Sequence, residues 1–324
     1  MQHELPLVTI IVPTKPGQAE IKAVDAARRL DYPADKIEIF VARGKQPAVQ
    51  RNHAIREARG EIIYFLDDDS QPAPDTLRRA IEHFRDPAVQ MVGGPNLCPP
   101  DAPFIERVFA VALASWIAFG PSRARYDRVG KTRASSEKEL ILCNLLARRA
   151  PLLELGGFDE SLYPNEENAL MDDLQKRGGK LIYDPDVLVH RRPRPTLNAF
   201  IKMLMTYGRG RAEQFRLHPT PGSALNFVPP LFVVYFVAIH LLILVRPGPL
   251  TQIAFVPMAF YWLALLIEVL KGIPHHGFVK SLCSYPLLFL THVFYGVGFW
   301  RGLFTSINKS KPAMTEVLIE RHTI

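Results

Sequence analysis

The sequence predicts an α/β domain in roughly its first two-thirds, followed by an apolar region that crosses a membrane. Two observations predict this division. Up to about residue 190, short β-branched runs alternate with stretches of helical periodicity, which is typical of a parallel sheet covered by helices on both faces. From Ala224 to Phe304, by contrast, only five residues carry a charge. The net charge of +7 is therefore an average over a charge-rich region and an apolar region that carries few charges.

The elements of the predicted sheet domain follow one another in a regular order. The predicted strands are residues 8–12, 37–41, 61–66 and 89–92. The predicted helices are residues 19–30, 48–58 and 76–84, the last of them capped by Asp75. Sites in such sheets lie at the carboxyl ends of the strands, so the loops after the strands are where functional residues are expected.

Residues 104–120 form an apolar stretch that contains Glu106 and Arg107. The stretch is short for a bilayer, whose hydrocarbon core needs about 20 helical residues. We expect a buried or interfacial helix here, with a spanning helix as the alternative.

A basic passage precedes the apolar region. It contains the residues His190, Arg191, Arg192, Arg194, Lys202, Arg209, Arg211 and Arg216. Apolar side chains such as Phe200, Leu204 and Tyr207 recur between them at helical spacing. The pattern predicts a helix in the headgroup plane of a membrane, with an amphipathic helix packed on the sheet domain as the alternative.

Three apolar runs follow, at residues 225–245, 250–270 and 279–304, each long enough to span a bilayer. Pro229 and Pro230 predict a kink or a re-entrant start in the first run. Three spans would place the basic domain and a basic tail (Lys309, Lys311, Arg321) on opposite sides, against the positive-inside tendency. The predicted division is therefore a domain over 1–195, an interfacial helix over 196–222, membrane helices over 223–306 and a tail over 307–324.

The three cysteines exclude two classes of site. They are odd in number and lack the spacing of metal ligands, so neither a disulfide scaffold nor a zinc site is expected.

Asp67, Asp68 and Asp69 directly follow the strand at 61–66. Adjacent carboxylates repel one another and call for a compensating cation, commonly a hard divalent ion completed by substrate phosphates. In an extended segment the first and third side chains point the same way, so Asp67 and Asp69 can share a site. A solvated turn after a strand is the alternative interpretation.

Two further sites carry candidate chemistry. Glu166 and Glu167 stand at the start of a predicted helix, where one of them can act as a general base or where both simply complement the helix dipole. His190 ends a short apparent strand, where it is either structural or a ligand for a metal or phosphate.

Taken together, these motifs resemble the family 2 glycosyltransferases with a GT-A fold. The resemblance is carried by the opening strand VTIIVPT, by AVQRNHAIREARGEIIYFLDDDSQPAPDTL and by LARRAPLLELGGFDESLYPNEENALMDDLQKRGGKLIYDPDVLVH. These motifs cover most of residues 7 to 195. The following RPRPTLNAFIKMLMTYGRGR and the apolar helices are similar to membrane-bound bacterial enzymes of succinoglycan-type synthesis.

The resemblance implies a role for each matching residue. Asp67 and Asp69 would stand at the D-x-D positions that bind Mg2+ or Mn2+ and the donor, with Asp68 between them and His190 completing the metal shell. Glu167 would be the base that deprotonates the acceptor, and Glu166 its neighbour. The residues implied to contact the donor nucleotide are Pro13, Thr14, Lys15, Arg51, Asp67 and Asp68.

Three departures from the family pattern matter. The segment VARGKQ after the second strand has no carboxylate where the family commonly recognises the nucleobase. The acidic pair is Glu-Glu instead of Glu-Asp. The Q-x-x-R-W signature of processive synthases is absent, which favours the addition of a single sugar.

The expected function is an inverting, metal-dependent transfer of one sugar from a nucleotide-sugar to a lipid-linked acceptor such as a polyprenyl diphosphate-sugar. Arg191, Arg192, Arg194, Tyr207, Arg209 and Arg211 are expected at the acceptor and membrane interface. The expected location is the bacterial inner membrane, with the catalytic domain in the cytoplasm and with no nucleic-acid partner. The alternatives are another acceptor (a polyprenyl phosphate, a glycolipid or a polymer) and a catalytically silent scaffold.

Overall fold

The computed structural model describes residues 4–162, 166–217, 219, 221–306 and 316–323, and it places them in two compact units. The sheet unit comprises Met1–Pro99, Pro121–Arg192 and Lys309–Ile324. The helical unit comprises Pro100–Gly120 and Pro193–Asn308. This division differs from the predicted one in two places. Residues 100–120 belong to the helical unit, and the predicted tail from Lys309 onward belongs to the sheet unit. Lys309 and Lys311 of that tail lie outside the described residues.

The strands all belong to the sheet unit. They are β1 (Val8–Thr14), β2 (Ile37–Arg43), β3 (Ile62–Leu66), β4 (Gln71–Pro72), β5 (Val89–Gly93), β6 (Asn96–Leu97), β7 (Arg133–Ala134), β8 (Asn144–Arg148), β9 (Lys180–Tyr183), β10 (Val189–His190) and β11 (Leu318–His322). Eight of them form one sheet in the order β11-β2-β1-β3-β8-β5-β9-β7, and β4-β10-β6 form a small second sheet.

The helices are divided between the units. Those of the sheet unit are α1 (Lys22–Ala27), α2 (Pro47–Glu57), α3 (Thr76–His83), α6 (Arg149–Glu154) and α7 (Glu166–Lys176). Those of the helical unit are α4 (Phe104–Leu113), α5 (Trp116–Phe119), α8 (Leu197–Leu217), α9 (Val228–Val245), α10 (Pro249–His276) and α11 (Phe278–Phe304).

The large sheet is mixed, which corrects the prediction of a parallel sheet. β1 runs parallel to both β2 and β3, as predicted. β8, however, inserts between β3 and β5 and is antiparallel to both. The four predicted strands therefore share one direction, and the antiparallel members are strands that the alternating pattern did not predict.

The strands β1 and β3 are buried on both faces, which is why they appear as continuous apolar runs. Val8, Ile10 and Val12 of β1 enter a core with Leu77 of α3. Ile11, between them, enters a second core that includes residues of α2 and α7. Helices thus cover both faces, as the sequence predicts.

Two helix predictions in this unit need correction. α1 is shorter than predicted, because residues 18–21 are not helical and the Gln18 side-chain amide donates a hydrogen bond to the Glu20 carbonyl there (3.2 Å). Asp75 precedes α3 but makes no capping hydrogen bond. Its carboxylate instead accepts a hydrogen bond from Arg79 at 2.6 Å.

The predicted tail contains the edge strand of the large sheet. β11 pairs antiparallel with β2, with Glu320 opposite Val41. Glu320 also accepts a hydrogen bond from Arg43 at 2.6 Å, and the Arg321 guanidinium lies 5.2 Å from the Phe40 ring centroid. A segment that follows the apolar helices in sequence is thus part of the sheet unit.

In the helical unit, α8 packs along α11 at close range. A Cβ added to Gly208 would lie 2.0 Å from the Tyr295 carbonyl oxygen, and one added to Gly298 would lie 2.2 Å from that of Met205. Larger residues at these two positions would force the helices apart. The amphipathic helix predicted from the basic passage is therefore confirmed as a helix, and its buried face meets α11.

Three stretches of the helical unit are long and apolar enough to cross a membrane: Ala224–Val245, Pro249–His276 and Phe278–Phe304. Pro229 and Pro230 lie in the first turn of α9, where proline is tolerated, so they begin the helix and do not kink it. Residues 104–120 hold the short helices α4 and α5, part of a pair bent by 61°.

Candidate active site

Acidic side chains lie at the carboxyl ends of the parallel strands, where the sheet topology predicts a site. Asp67, Asp68 and Asp69 follow β3 directly. The Asp67 amide donates a hydrogen bond to Ser70 Oγ at 3.3 Å, and that hydroxyl donates to the Cys143 carbonyl at 3.2 Å. Ser70 is fully buried, so it fixes the start of the acidic turn.

Arg51 of α2 joins two acidic segments that are distant in sequence. Its Nη2 lies 3.3 Å from Asp67 Oδ1, and its Nη1 lies 3.2 Å from Glu166 Oε1. The side chains of Arg51 and Glu166 are 6% and 4% exposed, so this ion pair is almost fully removed from water. The predicted donor-binding arginine and the predicted acidic pair are thus brought together.

Arg191 is the second cation of the cluster. Its Nη1 lies 3.1 Å from Asp67 Oδ2, and its Nε donates a hydrogen bond to Asp69 Oδ1. The prediction had counted Arg191 with the headgroup-facing arginines, whereas the structure places its guanidinium between the first and third aspartates. Those two carboxylates share one partner, although residues 68–69 form a turn and not the extended segment that the sequence predicted.

Asp68 points elsewhere and belongs to a second network. It accepts a hydrogen bond from the Gln18 amide. The backbone carbonyl of Gln18 accepts one from Arg43 at 2.8 Å, and Arg43 is in turn paired with Glu320 of β11. The loop after β1, which contains the predicted donor contact Lys15, is therefore tied both to the acidic turn and to the edge strand.

The two carboxylates expected to bind a divalent ion, those of Asp67 and Asp69, face an arginine in this structure. Among the residues that the structure describes, no three His, Cys, Asp or Glu side chains are arranged to hold a metal ion. His190 lies in β10, paired with Gln71 of β4, and directly precedes Arg191. Asp67 and Asp69, the carboxylates that would hold a divalent ion, are both paired with the Arg191 guanidinium.

The two glutamates of α7 differ in environment. Burial raises the pKa of Glu166 to about 7, and the neighbouring charge of Glu167 adds to this effect, while Arg51 opposes it. Glu167 is partly exposed, and its carboxylate accepts a long hydrogen bond of 3.5 Å from the Asn168 amide. Glu166 is therefore held inside the cluster, and Glu167 is the more accessible carboxylate.

Thr14 and Arg51 each carry a buried polar atom without a hydrogen-bond partner in the part of the chain that the structure describes. These atoms are Thr14 Oγ1, at the end of β1, and Arg51 Nε. Buried polar atoms are nearly always satisfied by protein, water or ligand. Both residues were predicted to contact the donor. Pro13 lies beside Thr14 at the end of β1.

The other predicted interface residues are distributed over both units. Arg192 belongs to the sheet unit, whereas Arg194, Tyr207, Arg209 and Arg211 belong to the helical unit. On α8, Arg209 pairs with Glu213 at 3.4 Å and Arg211 donates to Gln214 at 3.0 Å.

The prediction missed Gln18, Arg43 and Glu320, as well as the acidic partners of Arg191. No local signal identifies the Arg43–Glu320 pair, whose members are 277 positions apart. For Arg191 a signal did exist, because it directly follows the strand that ends in His190.

Residues 22–150 match the family described as "Glycosyl transferase family 2". Pre-mycofactocin glycosyltransferases from two strains of Mycobacterium tuberculosis are 25% identical to the chain over 192 residues, covering 56% of it. The chain spans only 37% of the length of these relatives. A mannosyltransferase from Pyrobaculum calidifontis, solved with GDP-Man and Mn2+, superposes with a TM-score of 0.54 at 19% identity. That superposition covers 93% of this chain and 88% of the other, and it shows a shared fold.

Proposed function

We propose that this chain, which carries a family 2 glycosyltransferase domain with a GT-A fold, transfers one sugar from a nucleotide-sugar to a lipid-linked acceptor. The observation that carries the proposal is the cluster at the carboxyl ends of β1 and β3. There, two arginines and three carboxylates meet near buried polar atoms that have no hydrogen-bond partner among the described residues.

The donor diphosphate is proposed to bind beside Arg51 and Arg191. Displacement of a nucleoside diphosphate needs positive charge at the leaving group, and guanidinium groups supply it with fixed geometry. Thr14 Oγ1 and Arg51 Nε are free to bond the donor without breaking an existing hydrogen bond to the described part of the protein. Pro13 and Lys15 line the same loop.

Glu167 is proposed as the general base. It would accept the proton of the acceptor hydroxyl while the oxygen attacks the anomeric carbon, and the bond to the diphosphate would break with its electron pair leaving on the phosphate. A single in-line displacement inverts that carbon. Glu166 would orient Arg51, to which it is paired, instead of meeting the acceptor.

We also propose that the D-x-D segment binds a divalent ion, on the condition that the ion displaces Arg191. The neighbouring fold from Pyrobaculum calidifontis was solved with Mn2+. In this chain, however, Arg191 takes the position between Asp67 and Asp69, so Mg2+ or Mn2+ would have to displace it.

The lipid-linked acceptor and the bacterial inner membrane are proposed from the helical unit. Three of its stretches can span a bilayer. The arginines of α8 suit a surface of anionic headgroups, where an acceptor such as a polyprenyl diphosphate-sugar would lie. The sheet unit would then face the cytoplasm, where it meets the donor.

The test is transfer from a panel of radiolabelled nucleotide-sugars to lipid extracts, followed by extraction into organic solvent. We expect label in the organic phase for the wild type. Glu167→Gln should lose at least about a hundredfold in rate, as expected for removal of a general base. Glu154→Gln, an exposed residue of α6 with the same change of charge, is the matched control. Label that stays in water, or equal rates for both variants, would contradict the proposal.

A further inference from the structure

The pairing of β11 with β2 limits how often the chain can cross a membrane. The sheet unit contains the chain up to Pro99, resumes at Pro121 and takes up the chain again after Asn308. Since one folded sheet lies on one side of a bilayer, each excursion away from it must cross an even number of times. The bent pair at 104–125 therefore cannot be a single span, and the three candidate stretches between 224 and 304 cannot all cross.

The contacts among α9, α10 and α11 lead independently to the same conclusion. Tyr235 donates a hydrogen bond to the Ala254 carbonyl and Phe232 contacts Tyr261, so α9 and α10 are antiparallel. By the same reasoning α10 and α11 are antiparallel, because Tyr261 contacts His292 while Gly272 contacts Ser281.

α9 and α11 are antiparallel as well. Phe227, just before α9, contacts Phe299, whereas Phe236 further along α9 contacts Phe289. Three helices cannot all be antiparallel to one another along a common axis. One of them must therefore lie across the other two.

The position of α8 identifies the transverse helix. α8 and α11 run side by side in the same direction, since Met205 meets Gly298 and Arg216 donates hydrogen bonds to the carbonyls of Gly302 (3.0 Å) and Thr305 (2.5 Å). α8 carries the charged residues Lys202, Arg209, Arg211, Glu213 and Arg216. A helix with five charges is expelled from hydrocarbon, so the helix packed along its length stays at the same depth.

The composition of the three stretches agrees. Phe278–Phe304 is the least apolar of the candidates and has the largest buried share. α10 carries its own charged residues, Glu268 and Lys271, close to its carboxyl end. Glu268 there accepts hydrogen bonds from Ser115 Oγ at 2.7 Å and from the Trp116 amide at 2.8 Å. The apolar part of α10 before Glu268 is still long enough to span a bilayer.

We propose that α9 and α10 alone cross the membrane, as a hairpin, while α8 and α11 lie together in the headgroup layer on the side of the sheet unit. The partner of the α8–α11 surface is a lipid surface, whose phosphate groups complement the four basic residues of α8. The proposal rests on membrane insertion of the chain and not on the transfer reaction.

Single cysteines report the side on which each connection lies. The background is Cys98→Ser, Cys143→Ala and Cys283→Ala, and Arg59→Cys on the sheet unit marks the reference side. The three exposed probe positions are Pro247→Cys between α9 and α10, His275→Cys at the end of α10, and Ser306→Cys after α11. Sealed vesicles are treated with a membrane-impermeant maleimide from each side.

We expect His275→Cys and Ser306→Cys to react from the same side as Arg59→Cys, and Pro247→Cys to react from the opposite side. Reaction of His275→Cys from the opposite side would place a crossing in α11 and overturn the proposal. Reaction of Ser306→Cys from the opposite side, or of Pro247→Cys from the reference side, would overturn it as well.

Depth along α11 gives a second measurement that does not depend on sidedness. Nitroxide labels at the native Cys283 and at Val279→Cys and Val297→Cys, all exposed, should lie at similar shallow depths. Labels at Val234→Cys and Leu241→Cys on α9 should instead lie at clearly different depths. A depth that changes along α11 as it does along α9 would show that α11 spans.

Discussion

Replacement of Glu166 by glutamine should raise the stability of the sheet unit relative to wild type as the pH increases, whatever constant cost the loss of the buried Arg51 pair adds at every pH. The carboxyl has a pKa of about 7 in the folded protein against 4.5 for an ordinary glutamate. A raised pKa means that the folded state holds the proton more tightly than the unfolded state does. The free energy of unfolding therefore falls as the pH rises from about 4.5 to about 7.

The magnitude follows from the difference in pKa. At about 1.36 kcal/mol per pKa unit, and with a side chain only 4% exposed, the cost between pH 5 and pH 8 is about 2–3 kcal/mol. Glutamine cannot ionise, so Glu166→Gln lacks this cost. In a domain of this size, the melting temperature of the variant relative to wild type should rise by roughly 5–10 °C between the two pH values.

The assay is differential scanning calorimetry of the detergent-solubilised protein at pH 5 and pH 8. Glu154→Gln, exposed on α6, removes the same charge and should show no such change. If Glu166→Gln and wild type differ by the same amount at both pH values, burial does not control the ionisation of Glu166. The assignment of Glu166 to the interior of the cluster would then be wrong.

Three other outcomes are expected. Arg191→Gln should bind Mn2+ about tenfold more tightly, equivalent to about 1.4 kcal/mol, because the ion no longer displaces a guanidinium. Electron paramagnetic resonance measures the Mn2+ affinity, and Arg79→Gln on α3 is the control. Glu320→Gln should lower the stability of the sheet unit by about 1 kcal/mol through loss of the Arg43 pair, with Glu316→Gln as the control in thermal melts. Gly208→Val should destabilise the α8–α11 contact by about 1–3 kcal/mol, whereas Gly248→Ala, whose added Cβ meets nothing within 4 Å, should be neutral. Unchanged Mn2+ affinity, or melts that match those of the controls, would contradict the corresponding contact.

Features encoded over short distances in the chain were predictable from sequence. β1 and β3 are continuous β-branched or apolar runs because both of their faces are buried, and Asp67 follows β3 where the topology places a site. The start of α7 at Glu166 was likewise visible as an acidic first turn before a periodic apolar face.

Features that depend on distant partners were not predictable in this way. β11 is short and carries Glu320, Arg321 and His322, so its composition resembles that of a solvated tail, and only the open edge of β2 makes it a strand. Arg191 directly follows the strand that ends in His190, which indicates a place near the strand ends, but nothing local indicates that its partners are Asp67 and Asp69. In both cases the decisive interaction is with a residue more than a hundred positions away.

The edge strand also constrains the order in which the protein is made. β2 leaves the ribosome long before β11, and the whole helical unit is synthesised between them. Until β11 arrives, the edge of β2 presents unpaired backbone groups that can bind other strands. The nascent sheet unit therefore completes its sheet only after the three stretches that could span a membrane have been synthesised, so a chain that stops before β11 would leave an exposed, aggregation-prone edge.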